Sequence, residues 1–172
     1  TLEPDALYEI VKAINDTDAD VVYTDEDKVS MDGQHYFDPN FKPDFNLFRL
    51  RENNYICHIF VVRKSLTDET GMLRSEFDGA QDFDFILRCC EKAKKITHIP
   101  KVLYHWRCHM DSTAADPSSK AYAYEAGRKA IREHYQRMGI DAKVDMTERP
   151  GWYRSHIKVQ GNPMVSIIIP NK

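Results

Sequence analysis

The side chains capable of chemistry fall in a few short runs. Gln81-Asp82-Phe83-Asp84 places two carboxylates ahead of an apolar periodic stretch. A carboxylate there can take a proton from a hydroxyl nucleophile, and it is equally the ordinary cap or dipole partner of a helix start. Asp82 and Asp84 point roughly 200° apart around a helix of about 3.6 residues per turn, so they cannot share one pocket. Asp25 and Asp27 follow a short apolar run, at the strand edge where open α/β sheets place ligands, although acids after a strand also serve as turn-formers. Lys42, in Phe41-Lys42-Pro43-Asp44, could meet a phosphate, but a pair with Asp44 is the favoured reading. His105 and Arg107 flank Trp106 at the end of another apolar run. A cation there would offset leaving-group charge or stand solvated, and Trp106 reads as packing.

Metal and disulfide chemistry find less support. His105 and His109 have a spacing that serves a metal on a helix, but Val102-Leu103-Tyr104-His105-Trp106 reads as strand, so no metal site is assigned. Cys57, Cys89, Cys90 and Cys108 form no CxxC pair, and the adjacent Cys89 and Cys90 suit a disulfide framework poorly. A reduced, cytosolic chain is expected.

The elements that must position these residues follow from periodicity. Pro4 opens a helix whose Leu7, Ile10, Val11 and Ile14 recur at helical spacing. Asp20 to Thr24 reads as a short buried strand delivering Asp25 to Lys28 at its end, and Met31 to Gln34 as a turn. Tyr36 to Phe45, with two prolines, reads as a surface loop leading to a short helix over Asn46 to Arg51. Tyr55 to Val62 is expected as a central strand. A helix over Asp82 to Lys94 buries Phe83, Ile86, Leu87 and Cys90, with acids at its start and lysines at its end. Ile96 to Trp106 is expected as strand, Met110 to Ser119 as a mobile loop, and Lys120 to Met138 as a long helix capped by Gly139. Its Glu125 and Lys129, and its Glu133 and Arg137, are four apart. Two strands joined near Glu148 to Gly151 follow, then a buried strand over Val165 to Ile169.

Composition excludes several classes. The 172 residues suffice for one sizeable core. With 42% hydrophobic residues and only seven glycines and eight prolines, the chain is neither collagen-like nor broadly disordered. Its 24 basic and 27 acidic residues, a net charge of -3, give no electrostatic basis for sequence-independent nucleic-acid binding. No apolar run approaches the ~20 residues of a membrane span, and no signal peptide opens the chain.

Several of these stretches, in order and spacing, resemble the family 2 glycosyltransferases of the GT-A fold, in particular bacterial polysaccharide enzymes with tandem transferase domains. They are Tyr23 to Lys28, Phe41-Lys42-Pro43-Asp44, Asn54-Tyr55-Ile56, Ala80 to Arg88 and His98 to Arg107. The resemblance covers Thr1 to about Ala115. It implies an α/β chain forming part of a GT-A, Rossmann-like mixed sheet flanked by helices, without the N-terminal nucleotide-binding half. Residues 1–115 would be the acceptor-side part of one transferase domain and 116–161 its C-terminal helix and strand pair. Residues 162–172 would be the first strand of a following domain, with the metal-binding Asp-x-Asp motif upstream of residue 1.

By that resemblance Asp82 is the general base of an inverting transfer from a nucleotide sugar to a polysaccharide acceptor. Asp25, Asp27, Lys42, Asp84, His105 and Arg107 are the candidate substrate-contacting residues. A divalent metal, Mg or Mn, is expected in the parent enzyme and none in this chain, which is expected to be inactive alone. The expected partners are the nucleotide sugar and a glycan acceptor, not nucleic acid. The expected location is cytoplasmic, at the inner face of the membrane for the parent. Two other readings stand beside this one: a non-catalytic glycan-binding or interaction module, and a metal-dependent hydrolase built on Asp25 and Asp27. The strand at Val165 to Ile169 is expected either to insert into its own sheet or to exchange with a second copy in a homodimer.

Overall fold

A computed structural model describes residues 1–108 and 121–170. Its centre is β1 (Val21–Val29), in which six consecutive residues, Val21 to Glu26, are buried. Such an unbroken buried run belongs to a strand covered on both faces. One flank of β1 pairs in parallel with β4 (Ile96–Arg107) along its whole length. The other flank is shared by two short antiparallel strands. β3 (Phe60–Val62) lies against Val21 to Tyr23, and β2 (Tyr36–Asn40) against Glu26 to Val29. The result is a mixed sheet flanked by helices.

Side chains on the two faces of β1 find different partners. Val22 packs with Ile99 and Leu103 against Ala6 and Ile10 of α1 (Ala6–Thr17). Tyr23 enters the larger core with Leu50, Ile56 and Phe77, with Phe83, Ile86 and Leu87 of α4 (Gln81–Lys92), and with Ala130, Ile131 and Tyr135 of α5 (Ala121–Arg137). Fully burying a large side chain of this kind contributes about 1.5–3 kcal/mol. α2 (Leu47–Leu50) and α3 (Lys64–Thr70) are short connectors, and a 3-10 turn at Ser75–Phe77 leads into α4. An antiparallel hairpin, β5 (Ala142–Met146) and β6 (Tyr153–Ile157), closes the same core through Val144 and Tyr153. Gly127 of α5 makes that closure possible: a Cβ there would lie 2.1 Å from the Tyr153 hydroxyl, which donates to the Tyr124 carbonyl at 2.9 Å.

The expected helix over Asp82 to Lys94, the strand over Ile96 to Trp106, the long helix and the final hairpin are all present. Five expectations are corrected. The buried stripe of α1 is Ala6, Ile10, Ala13 and Ile14, while Leu7 and Val11 are exposed. Ala6, being small, sits flush against the sheet and turns the helix by about one position. β1 does not end at Thr24 but continues through Asp25 to Lys28. The segment expected as a loop after Tyr36 opens with β2, an exposed edge strand on which Pro39 is tolerated because edge positions need not donate inward. Of the stretch expected as a central strand, only Phe60–Val62 is strand, and it lies at an edge. Val165 to Ile169 forms no strand and is exposed, Ile168 at 90%, so it does not insert into the chain's own sheet. On α5, Glu125 pairs with Arg128, while Lys129 and Arg137 both face Glu133. The expected loop over Met110 to Ser119, and His109, lie outside the described residues.

Because Val165 to Ile169 buries almost nothing, deleting residues 162–172 should leave the thermal midpoint unchanged by circular dichroism. A drop of several degrees would show that the segment packs on the domain.

Candidate functional site

Asp82 and Asp84 open α4 and meet opposite fates. Asp84 is fully buried. Arg74 grips it with two hydrogen bonds, Nε to Oδ2 at 3.0 Å and Nη2 to Oδ1 at 2.6 Å, and Arg88 Nε donates to Oδ2 at 2.9 Å. The hydrogen bond to Asp84 raises the Arg74 guanidinium still further above its ordinary value. The remaining Arg88 donors serve the carbonyls of Thr70, Gly71 and Met72, and Arg74 also reaches Glu133 of α5. The Asp84 carboxylate is therefore consumed in holding the loop before α4, α4 itself and α5 together. Asp82 faces elsewhere and is partly exposed. Among the described residues it accepts a single bond from a side chain, Asn54 Nδ2 at 3.0 Å. The Asn54 carbonyl oxygen in turn accepts from the Cys57 amide at 3.3 Å, so one amide side chain fixes the carboxylate relative to the 54–58 loop.

The second group lies where β1 and β4 run side by side. Their register jumps between Thr24 and Glu26: Thr24 is level with Ile99, Asp25 with Val102 and Glu26 with Tyr104. Pro100, inside β4, sits at this irregularity. Bulges of this kind re-aim side chains, and here they separate three consecutive acids. Asp25 accepts from the Lys42 amide at 2.9 Å and faces His98 Nε2 at 2.8 Å, and the His98 ring stacks on Tyr23 at 4.8 Å. Asp27 faces His105 Nδ1 at 2.5 Å, and Glu3 faces the other ring nitrogen at 2.8 Å. Glu26 is buried. Its Oε1 accepts from Asn40 at 3.3 Å, and its Oε2, which accepts no hydrogen bond from the described residues, faces the Lys42 ammonium at 3.7 Å.

Lys42 does not pair with Asp44, whose carboxylate is almost fully exposed. Its buried ammonium donates to the carbonyls of Ile56 and His58 at 2.6 and 2.5 Å and lies 3.7 Å from Glu26. Burial pulls its pKa below the ordinary lysine value, against the opposing pull of Glu26. Arg107 is exposed and donates to the Met31 carbonyl at 2.7 Å, so it braces the turn after β1. Asp82, Lys42 and Glu26 thus converge on the 54–58 loop, whereas Asp25, Asp27 and His105 are engaged with one another's elements. Glu26, Asn54, Cys57, His58 and His98 were assigned no role from sequence. The signal for Glu26 was its place between two aspartates, which on a strand sends it to the other side.

A divalent metal of the Mg or Mn kind does not fit the described residues. Glu26, Cys57 and His58 have ligand atoms within 4.8 Å of one another. That set supplies one carboxylate, a thiol and an imidazole where such ions take oxygen donors, and the Lys42 ammonium already faces the carboxylate. Asp25 and Asp27 do not share a site, since each is turned to a different histidine.

Comparison with known proteins agrees with this architecture. No family model matches the chain. The uncharacterized protein y4gI of Sinorhizobium fredii is 45% identical over 175 residues, 99% of this chain and 19% of that protein. The O-antigen biosynthesis protein RfbC of Myxococcus xanthus is 39% identical over 173 residues, 100% of this chain and 13% of that protein. The chain thus spans a fifth or less of the length of these relatives. Among solved structures, residues 1–349 of S. aureus TarS superpose with a TM-score of 0.50 at 17% identity, over 77% of this chain and 37% of that one. The same TarS segment in complex with UDP-GlcNAc gives 0.52 at 16% identity, covering 77% and 39%. The fold is a mixed α/β, Rossmann-like one. It corresponds to part of a larger bacterial protein, and no helix among the described residues is long and apolar enough to cross a membrane.

Two measurements check this description. Asp84→Asn should cost about 3–5 kcal/mol in urea unfolding, because it leaves buried guanidinium charge without its partner. A loss below about 1 kcal/mol, the scale of exposed pairs, would contradict the clamp. Burial pushes the Cys57 thiol up to about 12. At pH 8 its alkylation should then run about a thousandfold slower in the folded chain than in denaturant, because the thiolate is the reacting form. Mass mapping of iodoacetamide adducts would read the rate.

Proposed function

We propose that this chain carries the acceptor side of a bacterial glycosyltransferase that moves a sugar from a nucleotide-sugar donor to a polysaccharide acceptor with inversion, using Asp82 as general base. One contrast carries the reading. Of the two acids that open α4, Asp84 is saturated by arginines, whereas Asp82 is partly open and, among the described residues, held by the Asn54 side chain alone. A base must be fixed in place yet able to accept a proton. The RfbC relative, an O-antigen biosynthesis protein, supports surface polysaccharide as the acceptor class. The TarS complex supports a uridine diphosphate sugar as the donor class.

In this mechanism Asp82 removes the acceptor hydroxyl proton as that oxygen bonds to the anomeric carbon. The bond from that carbon to the diphosphate oxygen breaks, and the diphosphate leaves with the electron pair. A metal bound elsewhere in the parent would supply charge to the departing diphosphate. The residues of this chain position and deprotonate the acceptor, so the chain alone is inactive. The parent works in the cytoplasm at the inner membrane face, and its partners are the nucleotide sugar and the glycan.

In the parent protein, Asp82→Asn should lower kcat by about 10²–10⁴-fold with any donor in a nucleotide-sugar panel, while the thermal midpoint stays put. Turnover that survives the substitution would refute the base assignment. Glycan binding with no turnover in the unaltered parent would favour a binding module instead.

A further inference from the structure

We propose that Arg51 holds a small oxyanion, a phosphate or carboxylate group carried on an apolar body, in the cavity between α2 and the β5–β6 hairpin. No residue lining this cavity takes part in the transferase reading above, and the proposal does not rest on it.

The first observation is a buried cation that touches no acid. Arg51 is 6% exposed. Its Nε donates to His134 Nε2 at 3.0 Å, and no other side-chain hydrogen bond or ion pair ties it to the described residues. The acids nearest to it are engaged elsewhere. Glu91 faces the far side of the His134 ring and is gripped by Arg137, while Glu52 lies 3.8 Å from Arg49. A buried charge with no counter-charge in contact is costly. Arg74 and Arg88 show the usual remedy, since both bind Asp84 directly. In Arg51 the corresponding atoms, Nη1 and Nη2, have no acceptor, yet neither belongs to the partnerless polar atoms sealed from solvent. They can be reached from outside.

The second observation is the cavity itself. It measures about 290 Å³, and its lining includes Phe48, Arg51, Glu52, Tyr135, Trp152 and Ile157. The Arg51 guanidinium carbon lies 5.6 Å from the Phe48 ring and 4.8 Å from the Tyr135 ring, so the cation sits beside two of the cavity's walls. With Nε pinned to His134, the orientation of the guanidinium is set, and its two Nη donors form the fork that receives two oxygens of one anion. The volume is at the lower end of the ~300–1,000 Å³ of small-molecule sites, which suits a small molecule or one anchored group and not a polymer. Phe48, Trp152 and Ile157 supply apolar surface for its body. Arg49 and Arg149 lie over the Trp152 ring at 4.3 and 4.5 Å, and their charge draws an anion toward the mouth and disfavours a cation.

The test is titration of the chain with inorganic phosphate, phenyl phosphate, benzoate and benzyl alcohol, followed by calorimetry and by the NMR signals of the arginine Nε–H groups. Phenyl phosphate or benzoate should shift the Arg51 Nε–H signal, and the tighter of the two identifies the oxyanion as phosphate or carboxylate. Phenyl phosphate should bind about tenfold more tightly than inorganic phosphate, because its ring buries apolar area. Three variants separate a ligand site from a merely structural arginine. Arg51→Lys keeps the charge but loses the fork, and should weaken binding at least about tenfold. Since it also gives up the bond to His134, two substitutions at exposed side chains accompany it. Glu52→Gln removes a like charge from the lining and should tighten anion binding about two- to fivefold. Phe48→Ala should weaken phenyl phosphate and leave inorganic phosphate unchanged. The proposal is overturned if neither aromatic anion moves the Arg51 signal, or if benzyl alcohol binds as tightly as the anions. Anion affinity that Glu52→Gln leaves unchanged or lowers, at an unaltered thermal midpoint, would overturn it as well.

Discussion

The buried charge of Asp84 is the constraint from which the geometry around α4 follows. A carboxylate removed from water must be paired and hydrogen-bonded, or it will not remain ionised. Arg74 and Arg88 meet that need, and in doing so they settle much else. Arg88, one turn along the same helix, carries the carbonyls of residues 70–72, and Arg74 joins the preceding loop to Glu133 of α5. Three segments distant in sequence are fixed around one side chain. Asp82, two residues earlier and on the other side of the helix, inherits a rigid position without spending its own carboxylate on the task. A second buried network does the same at the far end of α4. Fully buried His134 receives Arg51 Nε on one ring nitrogen and faces Glu91 on the other, at 3.0 and 2.7 Å. Burial alone would raise Glu91, yet the bonds from His134 and Arg137 lower it on balance.

Lys42 imposes the corresponding demand on the other wall of the site. Its ammonium is buried and takes the carbonyls of Ile56 and His58. Those carbonyls are then lost to any strand ladder, which explains why a stretch rich in β-branched and aromatic residues becomes strand only from Phe60 onward. The loop so formed brings Cys57 and His58 beside Glu26 and presents the Cys57 amide to Asn54. A strand through these residues would have satisfied their backbone more cheaply and left no site.

How far the sequence could be read depended on how local the deciding force was. The 3.6-residue period was enough to locate α4 and α5 and to separate Asp82 from Asp84 by direction. It could not name Arg74 as the partner of Asp84, because their meeting depends on the 3-10 turn between them, a local structure without periodicity. The apolar stripe of α1 was misplaced by one position because Leu7 and Val11 are large and Ala6 is small, and hydrophobicity outweighs size in a pattern search. The sheet, not the helix, chose Ala6. Val165 to Ile169 has every local mark of a buried strand. Pairing is a property of two strands, however, and nothing in the composition of one supplies the other.

The three acids at the end of β1 show why residue type alone does not separate a structural carboxylate from a functional one. Asp25, Glu26 and Asp27 are consecutive, similar in chemistry and similar in burial. What distinguishes them comes from β4, which runs parallel to β1 and carries His98 and His105. Each histidine takes one aspartate, and the register jump at Pro100 brings Tyr104, not a third donor, level with Glu26. Had the two strands stayed in step, Glu26 would have been level with Lys101, whose ammonium instead lies on the surface with Glu9. The irregularity in β4 is therefore what leaves Glu26, alone of the three, without a partner from β4, so that its charge is met from other elements, by the Asn40 amide and the buried Lys42 ammonium.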